Sequence, residues 1–184
     1  ALHGKDGEDG IAQSYFEYLK IPYTHSGVVS SYNSMNKVIS KEIFIKNRIH
    51  TPKYFSQNKN DINLKNLKKL LKKKKMTFPI VIKPINEGSS LDVYICNNKI
   101  SLLTSLKKMK SYKEILIEKF IPGREIQVAI MGNKKLGAIE LKPKRKFYDY
   151  KAKYNSNAKT KHIIPVNLPK KNYKKVNQIA LRAH

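Results

Sequence analysis

The sequence has a single cysteine, Cys96, which rules out an internal disulfide framework and fits a reducing compartment such as the cytoplasm. No apolar run approaches the roughly 18 residues that a membrane helix needs, so no spanning segment and no membrane partner are expected. The chain opens Ala1-Leu2-His3-Gly4, with neither an initiator Met nor a basic-then-apolar leader, and residues are expected upstream. Acidic residues are scarce, 13 against 38 basic ones, for a formal net charge of +25. Arginine is scarcer still: Arg48, Arg124, Arg145 and Arg182 are all there are. Surfaces selected to grip nucleic acid favour arginine, whose planar guanidinium makes paired hydrogen bonds to phosphates and base edges. A basic chain that is almost all lysine, and also crowded with Asn and Ile, is better explained by AT-rich codons. A basic nucleic-acid-binding module is kept as the rival reading from a different class, although nucleic acid is not the expected partner.

Hydrophobic residues make up 40% of the 184, enough to bury a core in one large domain or two small ones. The stretch from Phe78 to Ser90 is the most informative. Its β-branched run reads as a buried strand that delivers Lys83 at its far end. Pro84 breaks it into the polar loop Glu87-Gly88-Ser89-Ser90. A strand placing one amine, followed by a glycine loop with free N–H and hydroxyl donors, can cradle phosphate oxygens while the amine neutralises charge. Such elements are also common in purely structural settings.

Upstream, three glycines between Gly4 and Gly10 permit positive φ and close approach of backbone to a ligand. A helix follows with Ile11, Tyr15, Phe16 and Leu19 on one face. A second is predicted with Ser34 as N-cap and a stripe of Met35, Val38, Ile39 and Ile43; Lys37 and Lys41 lie off that stripe and read as solvated charges. Residues 56–61 read as a polar segment leading into an amphipathic helix with a basic end, Lys72 to Lys75, which suits the helix dipole. Then come a short strand at 93–95, a helix from about Ser101 to Lys110 and a strand at 115–121. Pro122-Gly123 precedes a hairpin of 125–130 and 136–141 turning at Gly132-Asn133. The aromatic and basic stretch 143–161 reads as a functional loop; its interleaved Tyr and Lys would also suit base stacking. Pro169 opens a last helix carrying Tyr173, Val176, Ala180 and Ala183, which meets His184 without a stop signal, so it is expected to continue. A lone His3 at a strand end reads, by itself, as structural.

Taken together, these motifs resemble the ATP-grasp fold, and within it the D-alanine–D-alanine ligase group. The resemblance rests on His3-Gly4 with Gly7-Glu8-Asp9-Gly10, Ile21-Pro22-Tyr23-Thr24 with Ser26-Gly27, and Met35-Asn36-Lys37. It continues through Val81-Ile82-Lys83-Pro84, Glu87-Gly88-Ser89-Ser90, Glu118-Lys119, Gly123-Arg124-Glu125, and Phe147-Tyr148-Asp149-Tyr150 to Tyr154. It implies a partial ATP-grasp architecture of mixed α/β class. Residues 1–33 would end an N-terminal substrate domain, 34–121 form the central subdomain, and 122–184 begin the C-terminal subdomain with its lid loop 143–161.

The resemblance also implies a reaction and a set of roles. ATP would phosphorylate the carboxylate of one D-alanine, and the amine of a second would attack the acyl phosphate through a tetrahedral intermediate, in peptidoglycan precursor synthesis. Lys37 and Lys83 match the positions at the α- and β-phosphates, and Lys153 the one at the γ-phosphate. Glu118, Lys119 and Ile121 match the hinge at adenine, and Glu125 the ribose carboxylate. Ser90 belongs to the phosphate loop; Ser89 and Tyr154 match the pair linking that loop to the lid, and His3 the histidine beside the first D-alanine. A hydroxyl at Tyr154 favours an amine nucleophile over D-lactate, whose ligases are the alternative within the fold. Mg2+ or Mn2+ is implied, with ligands beyond His184, as is a homodimer; the chain is expected to be inactive alone. Four residues depart from the family's pattern: His25 for a Gly, Asn36 for an Asp, Lys151 for a Glu, and Asp92 for a Gly, where a carboxylate would oppose phosphates.

Overall fold

Alternation along one strand separates the two faces of the main sheet. In Glu114–Lys119, the side chains of Ile115 and Ile117 point one way and those of Leu116 and Glu118 the other, and all four are buried. The computed structural model describes residues 2, 4–144, 150, 153, 155, 157 and 159–184, with the Leu64 side chain also left aside. Its elements, in chain order, are α1 (Ile11–Tyr18), α2 (Val28–Met35), α3 (Lys37–Lys46), β1 (Tyr54–Asn58), α4 (Leu64–Lys73), β2 (Ile80–Pro84) and β3 (Tyr94–Cys96). They continue with α5 (Lys99–Lys108), β4 (Glu114–Lys119), β5 (Glu125–Met131), β6 (Lys134–Lys142), β7 (Lys161–Ile163) and α6 (Lys170–Ala183). Two compact units result: residues 1–43 with 51–121, and residues 44–50 with 122–184. The mixed α/β class expected from the sequence is what the chain adopts.

The first unit is built on an antiparallel sheet of order β1-β4-β2-β3. One face carries Phe55, Ile80, Ile82, Ile115 and Ile117, and α4 and α5 cover it with Leu67, Leu102 and Leu106. Both helices start on an asparagine. Asn63 accepts from the N–H groups of Lys65 and Asn66, and Asn98 from that of Ser101, and each closes a capping box. The helix expected from Ser101 therefore begins two residues earlier, at Lys99. Strand β1 was hidden in the sequence because only Phe55 of its five residues is buried. Its neighbours are polar, which reads as loop until the edge of β4 supplies a partner.

Two helical expectations change. The helix predicted from Ser34 is split at Asn36, whose backbone is extended and whose side chain accepts from the N–H groups of Val38 and Ile39 at 3.0 and 3.1 Å. Asn36, not Ser34, caps α3. The apolar face predicted for α1 is not buried: Ile11, Tyr15 and Leu19 are exposed, and Gln13 is the residue fully enclosed. Gln13 donates to the Gly7 carbonyl and accepts from the Gly10 N–H, both at 3.1 Å, so it pins the glycine turn to the helix. Gly10 has φ +100, and a Cβ there would meet the Val28 carbonyl oxygen at 2.8 Å. That close backbone approach, read from the sequence as ligand contact, is made to α2.

The second unit is an antiparallel sheet of order β5-β6-β7 with α6 lying on β5 and β6. The β5–β6 register shifts between Ala129 and Ile130, beside Gly137 at φ +139. Strand β7, absent from the sequence reading, pairs Ile163, His162 and Lys161 with Glu140, Leu141 and Lys142. Arg124 grips Glu140 in two hydrogen bonds of 2.8 and 2.6 Å and reaches the Asn167 carbonyl at 2.9 Å, tying β5, β6 and the segment before α6. Arg124 also holds the Glu140 carboxyl below the ordinary carboxylate range.

Ile117 is fully enclosed in the first unit's core. Ile117→Ala is expected to lower stability by about 2–5 kcal/mol, read as a lower urea midpoint at unchanged slope. An unchanged midpoint would mean that this face is not the core.

Candidate functional site

The face of the first sheet that does not hold the core is charged. In register, Lys83 lies opposite Leu116 and Val81 opposite Glu118, so Lys83 and Glu118 are diagonal neighbours on the same side. Their side chains form an ion pair between Lys83 Nζ and Glu118 Oε1. The other carboxylate oxygen, Glu118 Oε2, lies 2.8 Å from Lys41 Nζ. Lys41 also donates to Thr51 Oγ1 at 2.7 Å and to the Pro52 carbonyl at 3.2 Å, and stands 5.0 Å from the centre of the Tyr54 ring. Every N–H of that ammonium is used. Burial is the chief reason its pKa falls below the ordinary lysine value, and the Glu118 hydrogen bond opposes the fall.

Lys37 enters the same face from the start of α3. Its amine donates to the carbonyls of Ile85, at 3.2 Å, and Glu87, and its backbone N–H also donates to Ile85. It therefore staples α3 to the loop that follows β2. Burial, and then repulsion from Lys83, pull its pKa down to about 8. Two ammonium groups forced together in partial burial make a place where an anion relieves strain.

The loop that Lys37 holds is wound in an unusual backbone. Ser89, Ser90 and Asp92 have φ of +52, +59 and +50, the left-handed region that non-glycine residues seldom occupy. At Gly88 an added Cβ would stand 3.0 Å from Glu8 Oε1, so the loop passes tight against the glycine turn. Asp92 occupies the left-handed position where relatives were expected to have Gly, and aspartate tolerates it better than most residues. Its carboxylate accepts from the Tyr94 hydroxyl at 2.7 Å and also bonds Tyr112. Burial and that shared carboxylate push both phenols up to about 12. The charge at Asp92 is thus engaged by two tyrosines.

Of the residues singled out in the sequence, the first unit brings Lys37, Lys83 and Glu118 onto one face, with Ser89 and Ser90 in the adjoining loop. Lys119 closes β4; its backbone N–H is bonded to the Lys53 carbonyl and its side chain is exposed. Ile121 follows, also exposed. In the second unit, Glu125 begins β5; desolvation raises its pKa above the ordinary carboxylate value while nearby Lys153 pulls it back. His3 and Tyr154 lie outside the described residues. Lys41 was missed, because a helical stripe of apolar residues ranks everything off it as solvated. The signal that finds it is its spacing from Lys37: four residues apart, the two amines share one helix face.

Lys37 supplies a pH test. A lysine whose pKa is lowered by folding binds fewer protons in the folded than in the unfolded chain between about 8 and its unfolded value of 10.5. Its contribution therefore rises with pH across that window and is least favourable below pH 8. The stability of the parent relative to Lys37→Met is expected to improve from pH 8 to 10.5, measured by chemical denaturation. A gap that stays constant would place the Lys37 amine in free solvent.

Residues 43–184 match the family described as "D-ala D-ala ligase C-terminus". A curated D-alanine–D-alanine ligase from Pelagibacter ubique (strain HTCC1062) is 63% identical over 186 aligned positions, which take in 100% of this chain and 60% of that one. A crystal structure of D-alanine–D-alanine ligase from Bacillus anthracis superposes with a TM-score of 0.80 at 38% identity, over 98% of this chain and 58% of that one. A second Bacillus anthracis structure, described as complexed with ATP, gives a TM-score of 0.76 at 33% identity, over 98% of this chain and 56% of that one. The chain spans about six-tenths of the length of the curated relative from Pelagibacter. A mixed α/β chain with a lysine-lined sheet face, a left-handed serine loop and this match belongs to the D-ala D-ala ligase C-terminus family.

Proposed function

We propose that this chain carries the nucleotide-handling face of an ATP-dependent D-alanine–D-alanine ligase, acting in peptidoglycan precursor synthesis. The observation that carries the reading is the convergence of Lys37 and Lys83 on one side of the first sheet, with Glu118 between strand and helix. ATP is the nucleotide, as in the relative whose structure is described as its ATP complex.

The chemistry asked of the residues is charge stabilisation and positioning. The γ-phosphoryl group moves from ATP to the carboxylate of one D-alanine, breaking the bond to the β-phosphate oxygen and releasing ADP. The amine of a second D-alanine then attacks the acyl carbon, loses a proton, and phosphate leaves as the peptide bond forms. Phosphoryl transfer spreads negative charge over the phosphate oxygens, so fixed cations aimed at them lower the barrier. Lys83, one-fifth exposed at its side chain, has room to meet a phosphate while Glu118 holds its other side. Lys37, its pKa pulled down to about 8 by burial and by Lys83, would hold its proton more firmly beside a phosphate.

Ser89 and Ser90 belong to the loop that would face those phosphates, and Lys153 with Glu125 would serve the γ-phosphate and ribose. Lys119 and Ile121 would border the adenine. Tyr154 and His3 complete the assignment by resemblance, as do a homodimer and action in the cytoplasm. The fold class also calls for Mg2+. Among the described residues no three His, Cys, Asp or Glu side chains gather, so the residues at hand do not fit the ion and no step is drawn through it. No described helix is long and apolar enough to cross a membrane.

The full-length protein that carries this chain should convert ATP and D-alanine to ADP, phosphate and the dipeptide. Lys83→Ala should reduce that turnover by at least about a hundredfold, the size seen when a fixed stabilising donor is removed. Tyr154→Phe should chiefly change which second substrate is accepted when D-lactate competes. Undiminished turnover in Lys83→Ala would overturn the phosphate assignment, and a D-lactate product from the parent would overturn the choice of nucleophile.

A further inference from the structure

We infer that Lys41 is a positioning residue: by occupying Glu118 Oε2 it keeps Glu118 from claiming Lys83 wholly, and so leaves Lys83 available to phosphate. The inference deepens the proposed function and rests on Lys83 being a phosphate ligand.

Lys41 cannot itself reach a ligand. Its amine is buried and saturated by Glu118, Thr51 and Pro52, with the Tyr54 ring alongside. What it governs is the carboxylate. Glu118 is the acid of β4 that pairs with Lys83, and it is almost completely enclosed. A buried carboxylate needs compensation from its surroundings. With two ammonium groups it divides its charge, and the face formed by Lys37, Lys41, Lys83 and Glu118 carries three positive charges against one negative, a net +2 when all are ionised. Remove Lys41, and Glu118 has Lys83 alone to bond. The net charge drops to +1, and the amine needed by phosphate is held back by its own counter-ion.

The neighbouring residues fit a positioning role. Thr51 and Pro52 lie just before β1, Tyr54 opens it, and Glu118 lies opposite Tyr54 in register. Lys41 thus joins α3 to β1 and β4 around a fixed point. Lys37 is one helical turn earlier on the same face and holds the loop after β2. One helix therefore sets both the loop and the carboxylate.

The test uses four forms of the full-length protein: parent, Lys41→Met, Glu118→Gln, and Lys41→Met with Glu118→Gln. ATP binding is measured by calorimetry, and the exposure of the Lys83 amine by its rate of acetylation in the absence of nucleotide. Lys41→Met is expected to weaken ATP binding about tenfold, in keeping with one missing charge at moderate distance and effective dielectric, and to slow acetylation of Lys83. The double variant removes one charge of each sign and restores the net +2. Because Glu118 also matches the adenine hinge, its binding is compared with Glu118→Gln: Lys41→Met is expected to cost no more than about threefold in that background, and the double variant to regain the acetylation rate. The double variant also leaves no buried carboxylate short of a partner, so it remains informative where Lys41→Met fails to fold. If Lys41→Met costs as much ATP affinity in the Glu118→Gln background as in the parent, or the double variant does not regain the acetylation rate, the inference is wrong. Unchanged ATP affinity and Lys83 acetylation in a folded Lys41→Met would also overturn it. A parent that binds no ATP would instead sink the phosphate reading, while the acetylation rates would still judge the coupling of Lys41 to Lys83.

Discussion

A single carboxylate shared by two ammonium groups organises the polar half of the first unit. Glu118 is buried on a strand whose other face is solid hydrocarbon, where a lone charge would be costly. Lys41 arrives from a helix and Lys83 from the neighbouring strand, so the ion cluster fastens α3 to β4 and β2 at one point. Removing one partner of such a buried cluster leaves an uncompensated charge, which is far costlier than never having built it. The arrangement yields little net stability. It does determine where each amine stands.

Strand alternation makes this economy possible. Ile115 and Ile117 commit one face of β4 to the core with Ile80 and Ile82 of β2, and the same two strands are thereby obliged to present Leu116, Glu118, Val81 and Lys83 on the other. A slip of one residue in the β2–β4 register would bury Lys83 among leucines and expose the isoleucines. The core thus dictates the placement of the charged group, and the site needs no separate framework. The loop beyond β2 then relies on Lys37 and on the Asp92–tyrosine contacts to hold its left-handed turns.

The sequence was most legible where a period and a punctuation mark coincided. The β-branched run ending at Pro84, the hairpin around Gly132-Asn133 and the leucines of α4 each announced their element. Legibility failed where burial was polar. Gln13, Lys41 and Asn177 occupy inward positions that a hydrophobicity count assigns to solvent, because such a count does not see the hydrogen bonds each makes there, to Gly7, Thr51 and Tyr173. Strands β1 and β7 were missed for a related cause: five and three residues, mostly polar, take on strand character only from the edge they join. At the site, Lys37, Lys83 and Glu118 were visible through the family's motifs. Lys41 was not, although its spacing from Lys37 carried the clue.

The asparagine caps bear on how this basic chain meets acid. Asn36, Asn63 and Asn98 close the starts of α3, α4 and α5 with neutral amide oxygens, and neither α4 nor α5 has an acidic residue in its first turn. Protons therefore find nothing to titrate at those helix starts. A carboxylate that does matter, Glu140, is held below the ordinary range by Arg124. Acid reaches that joint late, as the pH falls through its lowered value, and the helices are still capped and wound when Arg124 lets go of β6.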